Sequence, residues 1–515
     1  MSSGTGLAVS RSCPSLLKLL PWRRAGLYRL ASETPCASVH VNEKHEENLE
    51  IQVPKHTHMA HGCRSPLPFS SIPGPWPSLP LVGTGWQYFP WGLGQYDIFK
   101  LHEANYDKYK RYGQIFKEEF QWRHPVVQVF NPTDFETIFR RQGRCPLRPV
   151  NQFLTYYRLS NPEKYTSVGL ANAVGEEWYR LRIALAPVLL KMKTLHHSLP
   201  ILNDISNDMI SLLKNLRDDK SHKLENLQEA LYRLVLEFTW MLCLERRLGC
   251  LNRGLVESSD GAVMISAVQK LFEAYHELYF GLPLWKYFST ASYRKLDEAE
   301  SDIYDWRSFY CKFYYLNYQL TIIDFIAGGV FTTGNAIVLL LYHMAKNPDV
   351  QERLYQEICQ VAPDGEITSE RLARMPYLKA CVKESFRLSP TIPGIMRILP
   401  EDVCLSGYQI PAGTPIFTQF MVTCQLPQYF PNPHKFYPER WMGALRKQIH
   451  PFIMLPFGYG FRMCAGRRLA EMEMYTTLAK IVYNFRLEHS GEDVDLICAF
   501  VIVPSKPVAL ILRDR

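Results

Sequence analysis

Pro456-Phe457-Gly458-Tyr459-Gly460-Phe461-Arg462-Met463-Cys464-Ala465-Gly466-Arg467-Arg468 sets one cysteine in a glycine-rich loop, with arginines on both sides. The residues from Ala470 to about Asn484 then follow a helical pattern. A loop ahead of a helix N-terminus supplies backbone N–H groups and positive potential, which favour a thiolate. Gly458, Gly460 and Gly466 let the backbone pass close to something large and flat. Arg462, two residues before the sulfur, can reach an anionic group beside it. A buried, inert thiol is the ordinary fate of a cysteine. Here Phe457, Gly460, Arg462, Cys464 and Gly466 form the pattern Phe-x-x-Gly-x-Arg-x-Cys-x-Gly.

The chain has 515 residues, 47% of them hydrophobic and 13% aromatic, which suits a large buried core. Its 13 cysteines are scattered, odd in number and without a C-x-x-C pair. That argues against a disulfide framework or a structural zinc site and fits a reducing compartment. Net charge is +8, and residues 1–40 carry Arg11, Lys18, Arg23, Arg24 and Arg29 against Glu33 alone. The excess left in the body is too small to argue for nucleic acid, so no nucleic-acid partner is expected. Residues 1–40 are rich in Ser, Ala, Leu and Arg, and their apolar run, Leu16-Leu17-Lys18-Leu19-Leu20, is brief. They read as a mitochondrial transit peptide rather than a secretory signal or an anchor. Residues 41–70 read as a linker and 71–515 as one folded unit.

Ile72-Pro73-Gly74-Pro75-Trp76-Pro77 holds an extended entry into that unit. Residues 95–112 have helical spacing, and 116–130 alternate as a strand hairpin. Amphipathic helices are expected near 178–194, 201–216, 224–246, 260–279, 292–318 and 320–346, then at 349–361 and 377–388. The stretch Ile322-Ile323-Asp324-Phe325-Ile326-Ala327-Gly328-Gly329 is apolar enough to be buried on all sides. Residues 394–425 read as short strands and turns, with 408–414 as a hairpin, and the C-terminus ends in strands. The fold class is mainly α with a minor β part.

The cysteine loop resembles, without a gap, the haem-binding loop of cytochromes P-450, and the resemblance extends from about Pro73 to the C-terminus. It implies one large helical domain with small antiparallel sheets. It implies haem b (iron protoporphyrin IX) with Cys464 as its axial thiolate, a ligand that pushes electron density toward O–O cleavage. Phe457 and Gly466 belong to the same haem-contacting loop. Trp178, Arg182, Arg397 and Arg462 match the residues that bind the two propionates, where buried carboxylates call for arginine forks. Glu384-Ser385-Phe386-Arg387 and Pro438-Glu439-Arg440-Trp441 match the motifs whose Glu384, Arg387 and Arg440 lock the loop that presents the cysteine.

Ala327-Gly328-Gly329-Val330-Phe331-Thr332-Thr333 resembles the family's oxygen-binding stretch, with Thr332 as the proton-relaying catalytic residue. Here the chain departs from the pattern: the position before the threonine is usually Asp or Glu, and this chain has Phe331. Thr332, water or a more distant group such as Asp324 is then left to deliver protons. Either Phe331 shapes the pocket of a working monooxygenase, or oxygen activation is impaired. In the second case the chain is an electron-independent haem-thiolate isomerase or a non-enzymatic haem-binding relative. An aspartate at 331 should speed a monooxygenase and leave an isomerase indifferent.

The chain carries no flavin or nicotinamide fingerprint, so electrons must come from another protein. Arg467-Arg468 and Leu378-Lys379-Ala380-Cys381-Val382-Lys383 resemble the mitochondrial branch. There Lys379, Lys383, Arg467 and Arg468 would form a docking patch for an acidic, adrenodoxin-type ferredoxin, itself served by a reductase. Residues 95–118 look most like invertebrate members. The resemblance implies a monooxygenase on the matrix side of the inner mitochondrial membrane. It would use molecular oxygen to hydroxylate an apolar small molecule such as a sterol, steroid or related lipid. The apolar loop 281–288, Gly281-Leu282-Pro283-Leu284-Trp285-Lys286-Tyr287-Phe288, would touch the membrane near the substrate entrance.

Overall fold

The computed structural model describes residues 65–89, 94–121, 123–189, 197–252, 259–310 and 316–515. The expected transit peptide and nearly all of the expected linker lie outside the described residues, as do residues 190–194 of the first long helix. Long helices run from α1 (Leu101–Tyr112) and α2 (Pro132–Arg141) through α3 (Gln152–Ser160), the single turn α4 (Gly169–Asn172) and α5 (Gly175–Leu189). Then come α6 (Leu199–Leu216), α7 (Leu227–Leu244), α8 (Asp260–Phe280), α9 (Ala291–Tyr310) and α10 (Leu316–Lys346). Helices α11 (Pro348–Val361), α12 (Pro376–Leu388) and α13 (Arg467–Asn484) follow, with short helical turns at Ser369–Ala373, Phe420–Thr423 and Gly443–Arg446 between them. Prolines open α2, α11 and α12, where a missing N–H costs nothing. Asn131 and Asn226 cap α2 and α7 by accepting the Thr133 and Glu229 N–H groups.

Helix α10 is the axis of the molecule. It is long and apolar enough to cross a membrane, but it is mostly buried inside the protein. Its middle packs on α7, and Ile337, Val338, Leu340 and Leu341 are wrapped by residues of α6, α7, α11, α12 and α13 in the largest core cluster. Its first half packs with α8 and α9 in a second cluster rich in aromatic rings.

The β part forms small sheets. In the four-stranded one, β1 (Ile115–Gln121) pairs antiparallel with β2 (His124–Val129). Strand β2 runs parallel to β7 (Pro415–Thr418), which pairs antiparallel with β4 (Ile395–Ile398). Strand β3 (Lys223–Leu224) and β8 (Phe485–His489) flank β11 (Leu510–Asp514), β5 (Val403–Leu405) pairs with β6 (Tyr408–Ile410), and β9 (Leu496–Ala499) with β10 (Val501–Pro504).

Several boundaries differ from the sequence reading. The helix expected from 224 starts at Leu227, because Lys223 and Leu224 pair with Ile511 and Leu510 in the C-terminal sheet. Residues 316–318, expected at the end of the preceding helix, belong to α10. The hairpin expected over 408–414 turns earlier, at Ser406-Gly407, where φ is 46° and 85°. Asp134 holds that turn by accepting the Ser406 N–H and hydroxyl. Helix α13 starts at Arg467 rather than Ala470, so the arginine pair occupies its first turn.

Candidate functional site

The cysteine loop is shaped by two left-handed glycines, Gly458 at φ +77° and Gly460 at φ +73°. A Cβ at Gly460 would strike Gln142 Nε2 at 2.3 Å. Gln142 donates to the Tyr459 carbonyl and accepts from Arg397 Nε at 2.9 Å, tying the loop to β4. The Cys464 N–H donates to the Phe457 carbonyl at 2.7 Å, and the Phe457 ring meets Phe386 of α12 edge-on. The loop is therefore anchored from both sides. Gly466 is not left-handed, and a Cβ there would meet only the Phe325 ring at 3.9 Å. An alanine would fit there in ordinary contact, so packing against α10 does not by itself require this glycine.

Cys464 is accessible in area, yet burial raises its thiol above the ordinary value. These two facts agree when the sulfur faces an interior space rather than bulk water. The Gly466 and Arg467 amides and the Arg182 and Arg467 guanidiniums act the other way and favour the thiolate.

Four guanidiniums gather beside the sulfur. Arg182 on α5, Arg397 on β4 and Arg462 in the loop are 6%, 3% and 9% exposed. Arg148, in the loop before α3, is the fourth. Arg462 donates to the Pro146 and Ala173 carbonyls and lies 4.6 Å from the Trp178 ring centroid. Burial pulls Arg462 down to about 9, and the charges of Arg148, Arg397 and Arg182 add to it. Burial with Arg148 pulls Arg397 down to about 10. Among the described residues none of the four forms an ion pair with a carboxylate. A crowd of buried like charges is costly unless an anion joins it. Arg148 was missed by the sequence reading. It sits in an irregular loop with no periodicity to mark it, and its only signal was a basic residue in an otherwise apolar segment.

On the other side of the site, Gly328 of α10 is exposed and a Cβ there would meet nothing within 4 Å. Thr332 lies one turn on and donates its hydroxyl to the Gly328 carbonyl at 2.6 Å. Asp324 is engaged elsewhere: its carboxylate accepts from Arg158 at 2.8 Å and from the Ala171 N–H, and Arg158 also binds Glu300. The geometry thus makes Asp324 a clamp between α10, α3 and α4 and removes it from the candidates for proton delivery.

Phe331 turns into the protein. Its ring packs 4.7 Å from Phe272 and 5.7 Å from Tyr232, between α8 and α7. An aspartate there would face aromatic rings without a partner. Phe331→Asp is therefore expected to lose about 3–5 kcal/mol of stability, as truncated core aromatics do, rather than to gain speed. Thermal unfolding of the variant checks this, and an unchanged melting temperature with faster turnover would contradict it.

Glu384 is fully buried and accepts from Arg387, Arg440, the Trp441 indole and the Tyr437 N–H. Arg387 continues to the carbonyls of Cys424, Pro433 and Lys435. The three residues that the resemblance singles out thus meet in one network, and Trp441 and Tyr437 join them.

Lys379 and Lys383 share a face of α12 with Arg446 and Arg467 close by. Burial lowers the Lys383 ammonium, with the positive charges of Arg446, Arg467 and Lys379 adding to it and Glu471 opposing. Arg467 and Arg468 both bind Glu471, at 2.9 and 3.4 Å, and stay partly exposed. In the loop after α8, Leu282, Leu284, Tyr287 and Phe288 are exposed. Trp285, expected at a membrane interface, is instead buried against Phe153 and stacked on Tyr293.

The family model for cytochrome P450 matches residues 73–318 and 310–512 of this chain. The chain belongs to the cytochrome P450 family. It is similar to ecdysone 20-monooxygenase of Drosophila melanogaster, 33% identical over 481 residues, covering 86% of this chain and 88% of that one. It is 32% identical over 480 residues to mitochondrial cytochrome P450 302a1 of the same species, covering 88% and 97%. Mitochondrial cytochrome P450 12b1 of Drosophila acanthoptera is 29% identical over 468 residues, covering 82% and 86%. The chain is thus a P450 monooxygenase with relatives named as mitochondrial, and the family carries a haem-thiolate cofactor. The donor set fits that group: an inward-facing thiol, and unpaired guanidiniums where two propionates need them.

Proposed function

We propose that this P450 is a mitochondrial monooxygenase that hydroxylates an apolar steroid-like substrate with electrons from an adrenodoxin-type ferredoxin. The observation that carries the reading is the pairing of the inward-facing Cys464 with the unpaired cluster of Arg148, Arg182, Arg397 and Arg462. The bound haem supplies the redox chemistry that activates dioxygen. Cys464 would hold the haem iron as a thiolate, with Gly466 and Phe457 shaping its loop. Arg182, Arg397, Arg462 and Arg148 would bind the propionates, and Trp178 holds Arg462 by its ring face. Thr332 holds a hydroxyl proton over the open surface at Gly328 and is the residue placed to pass it on. Glu384, Arg387 and Arg440 brace the loop.

Residues 1–40 act as a transit peptide and 41–70 as a linker to the haem domain at 71–515, on the matrix side of the inner membrane. The mitochondrial relatives, together with Arg467, Arg468, Lys379 and Lys383 on one basic surface, support the ferredoxin partner. The similarity to an ecdysone 20-monooxygenase supports the steroid class. The exposed Leu282, Leu284, Tyr287 and Phe288 support membrane contact through 281–288, with Trp285 bracing the loop from within.

Reconstitution with ferredoxin, its reductase and isotopically labelled dioxygen tests this reading on a steroid panel led by ecdysone. A hydroxylated product carrying one labelled oxygen, formed only with reductant, is expected. Product formed without reductant would instead establish the isomerase alternative. Lys379→Glu with Lys383→Glu should lower ferredoxin-supported turnover about tenfold or more at low salt, with the haem spectrum intact. Unchanged turnover would remove the docking assignment.

A further inference from the structure

The single turn α4 and its flanking residues form a shelf of backbone groups between two sets of charges. On one side the shelf meets the guanidinium cluster. Arg148 donates to the Ala171 carbonyl, and Arg462 donates to the Ala173 carbonyl at 2.7 Å. On the other side it meets Arg158 and Asp324. Arg158 donates to the Val168 carbonyl at 3.0 Å, and Asp324 accepts the Ala171 N–H at 3.3 Å. Ala171 is therefore gripped twice, by Asp324 of α10 at its N–H and by Arg148 at its carbonyl. The two side chains also feel each other. Burial lowers the Arg148 guanidinium from its ordinary value, and the Asp324 carboxylate, followed by Cys464, opposes that.

The shelf is fixed from behind. Arg158 is 2% exposed and also binds Glu300 at 3.2 Å, and Glu300 accepts the Tyr165 hydroxyl at 3.0 Å. Arg158 and Asp324 meet at 2.8 Å beside Gly169. Gly169 is left-handed, at φ +81°, and a Cβ there would collide with Arg158 Nη1 and Asp324 Oδ2. The pair closes on the shelf because this residue has no side chain. Arg462 has two further anchors, the Pro146 carbonyl and the Trp178 ring, which leaves Arg148 the more dependent on the shelf.

We infer that Asp324 is a positioning residue for haem binding, which aims Arg148 at a propionate through the backbone of Ala171. This rests on the reading that the guanidinium cluster holds the propionates. A partner behind a ligand-binding side chain fixes its orientation, and loss of that partner is felt at the ligand. Asp324 also clamps the fold, so the two roles must be separated. Asp324→Asn does this. Arg158 keeps Glu300 and the Val168 carbonyl, so its charge is not stranded. An amide cannot serve both Arg158 and the Ala171 N–H as the two carboxylate oxygens do, because one of its termini is itself a donor. The grip on the shelf is therefore lost while the buried ion pair with Glu300 remains.

The test is haem release from the haem-loaded full chain to excess apomyoglobin, a rate that requires no turnover. Arg148→Gln and Asp324→Asn should each speed release about tenfold. The double variant should release no more than about twofold faster than the faster single one, because both changes break the same path. Loaded with haem dimethyl ester, whose propionates carry no charge, wild type and Asp324→Asn should release within about twofold of each other. Effects that multiply in the double variant, or a tenfold difference that persists with the ester, would make Asp324 a clamp of the fold alone and overturn the inference. Unchanged release from Asp324→Asn beside fast release from Arg148→Gln would overturn it and leave the propionate role of Arg148 standing. Unchanged release from Arg148→Gln would remove both. Should Asp324→Asn yield no folded protein, Gly169→Ala takes its place in the same comparisons, since its Cβ displaces the pair from the shelf and keeps both charges.

Discussion

Glu384→Ala is expected to cost about 3–5 kcal/mol of stability and to yield protein with little bound haem. Glu384 has no exposed surface, and both its oxygens are taken by the guanidiniums of Arg387 and Arg440, the Trp441 indole and the Tyr437 N–H. Truncation strands two buried positive charges in a region sealed from water. Those charges also hold the carbonyls of Cys424, Pro431, Pro433 and Lys435, so the segment before the cysteine loop loses its frame as well. Glu384→Gln keeps acceptors in place and should lose less than the alanine variant. Urea unfolding and the haem-to-protein ratio measure both effects. A soluble Glu384→Ala chain with wild-type stability and a full complement of haem would show that the network does not brace the loop.

Cys464→Ser should remove turnover, by about a thousandfold or more, the scale on which loss of an indispensable group is felt. Stability should barely change. The structural bond at this position is the Cys464 N–H to the Phe457 carbonyl, a backbone contact that serine retains. The side chain is accessible in area, so no packing is lost. Its neighbours, Arg182 and the Gly466 and Arg467 amides, favour an anion that a serine hydroxyl does not become at neutral pH. Activity and unfolding midpoint should therefore separate in this variant, whereas they fall together in Glu384→Ala. Full turnover in Cys464→Ser would remove the thiolate from the account.

The contrast shows which parts of the site a sequence can carry. Cys464, Arg462 and the two left-handed glycines are neighbours in the chain, so their spacing encodes their geometry. Glu384, Arg387 and Arg440 are distant in part, but each sits in a short motif, and the structure brings them within bonding reach. Arg148 had no such setting, because an irregular loop leaves no periodic trace. Asp324 could have been read better: an acid inside the apolar run 322–329 must find a partner, and it finds Arg158. Trp285 was misplaced because composition marks an apolar loop without saying which of its rings turn inward. The boundary at 224 was missed for a related reason, since β3 exists only by pairing with β11 at the other end of the chain. The helices of the core were legible because their apolar faces recur at helical spacing, and α10 most of all.

The central claim is that Cys464 holds haem iron as a thiolate. The carbon monoxide difference spectrum of the reduced full chain tests it most directly. The account predicts the strongly red-shifted absorption band of a thiolate-bound haem in the wild type and its disappearance in Cys464→Ser. A wild-type band at the shorter wavelength of an imidazole- or thiol-bound haem, in soluble and folded protein, would contradict it.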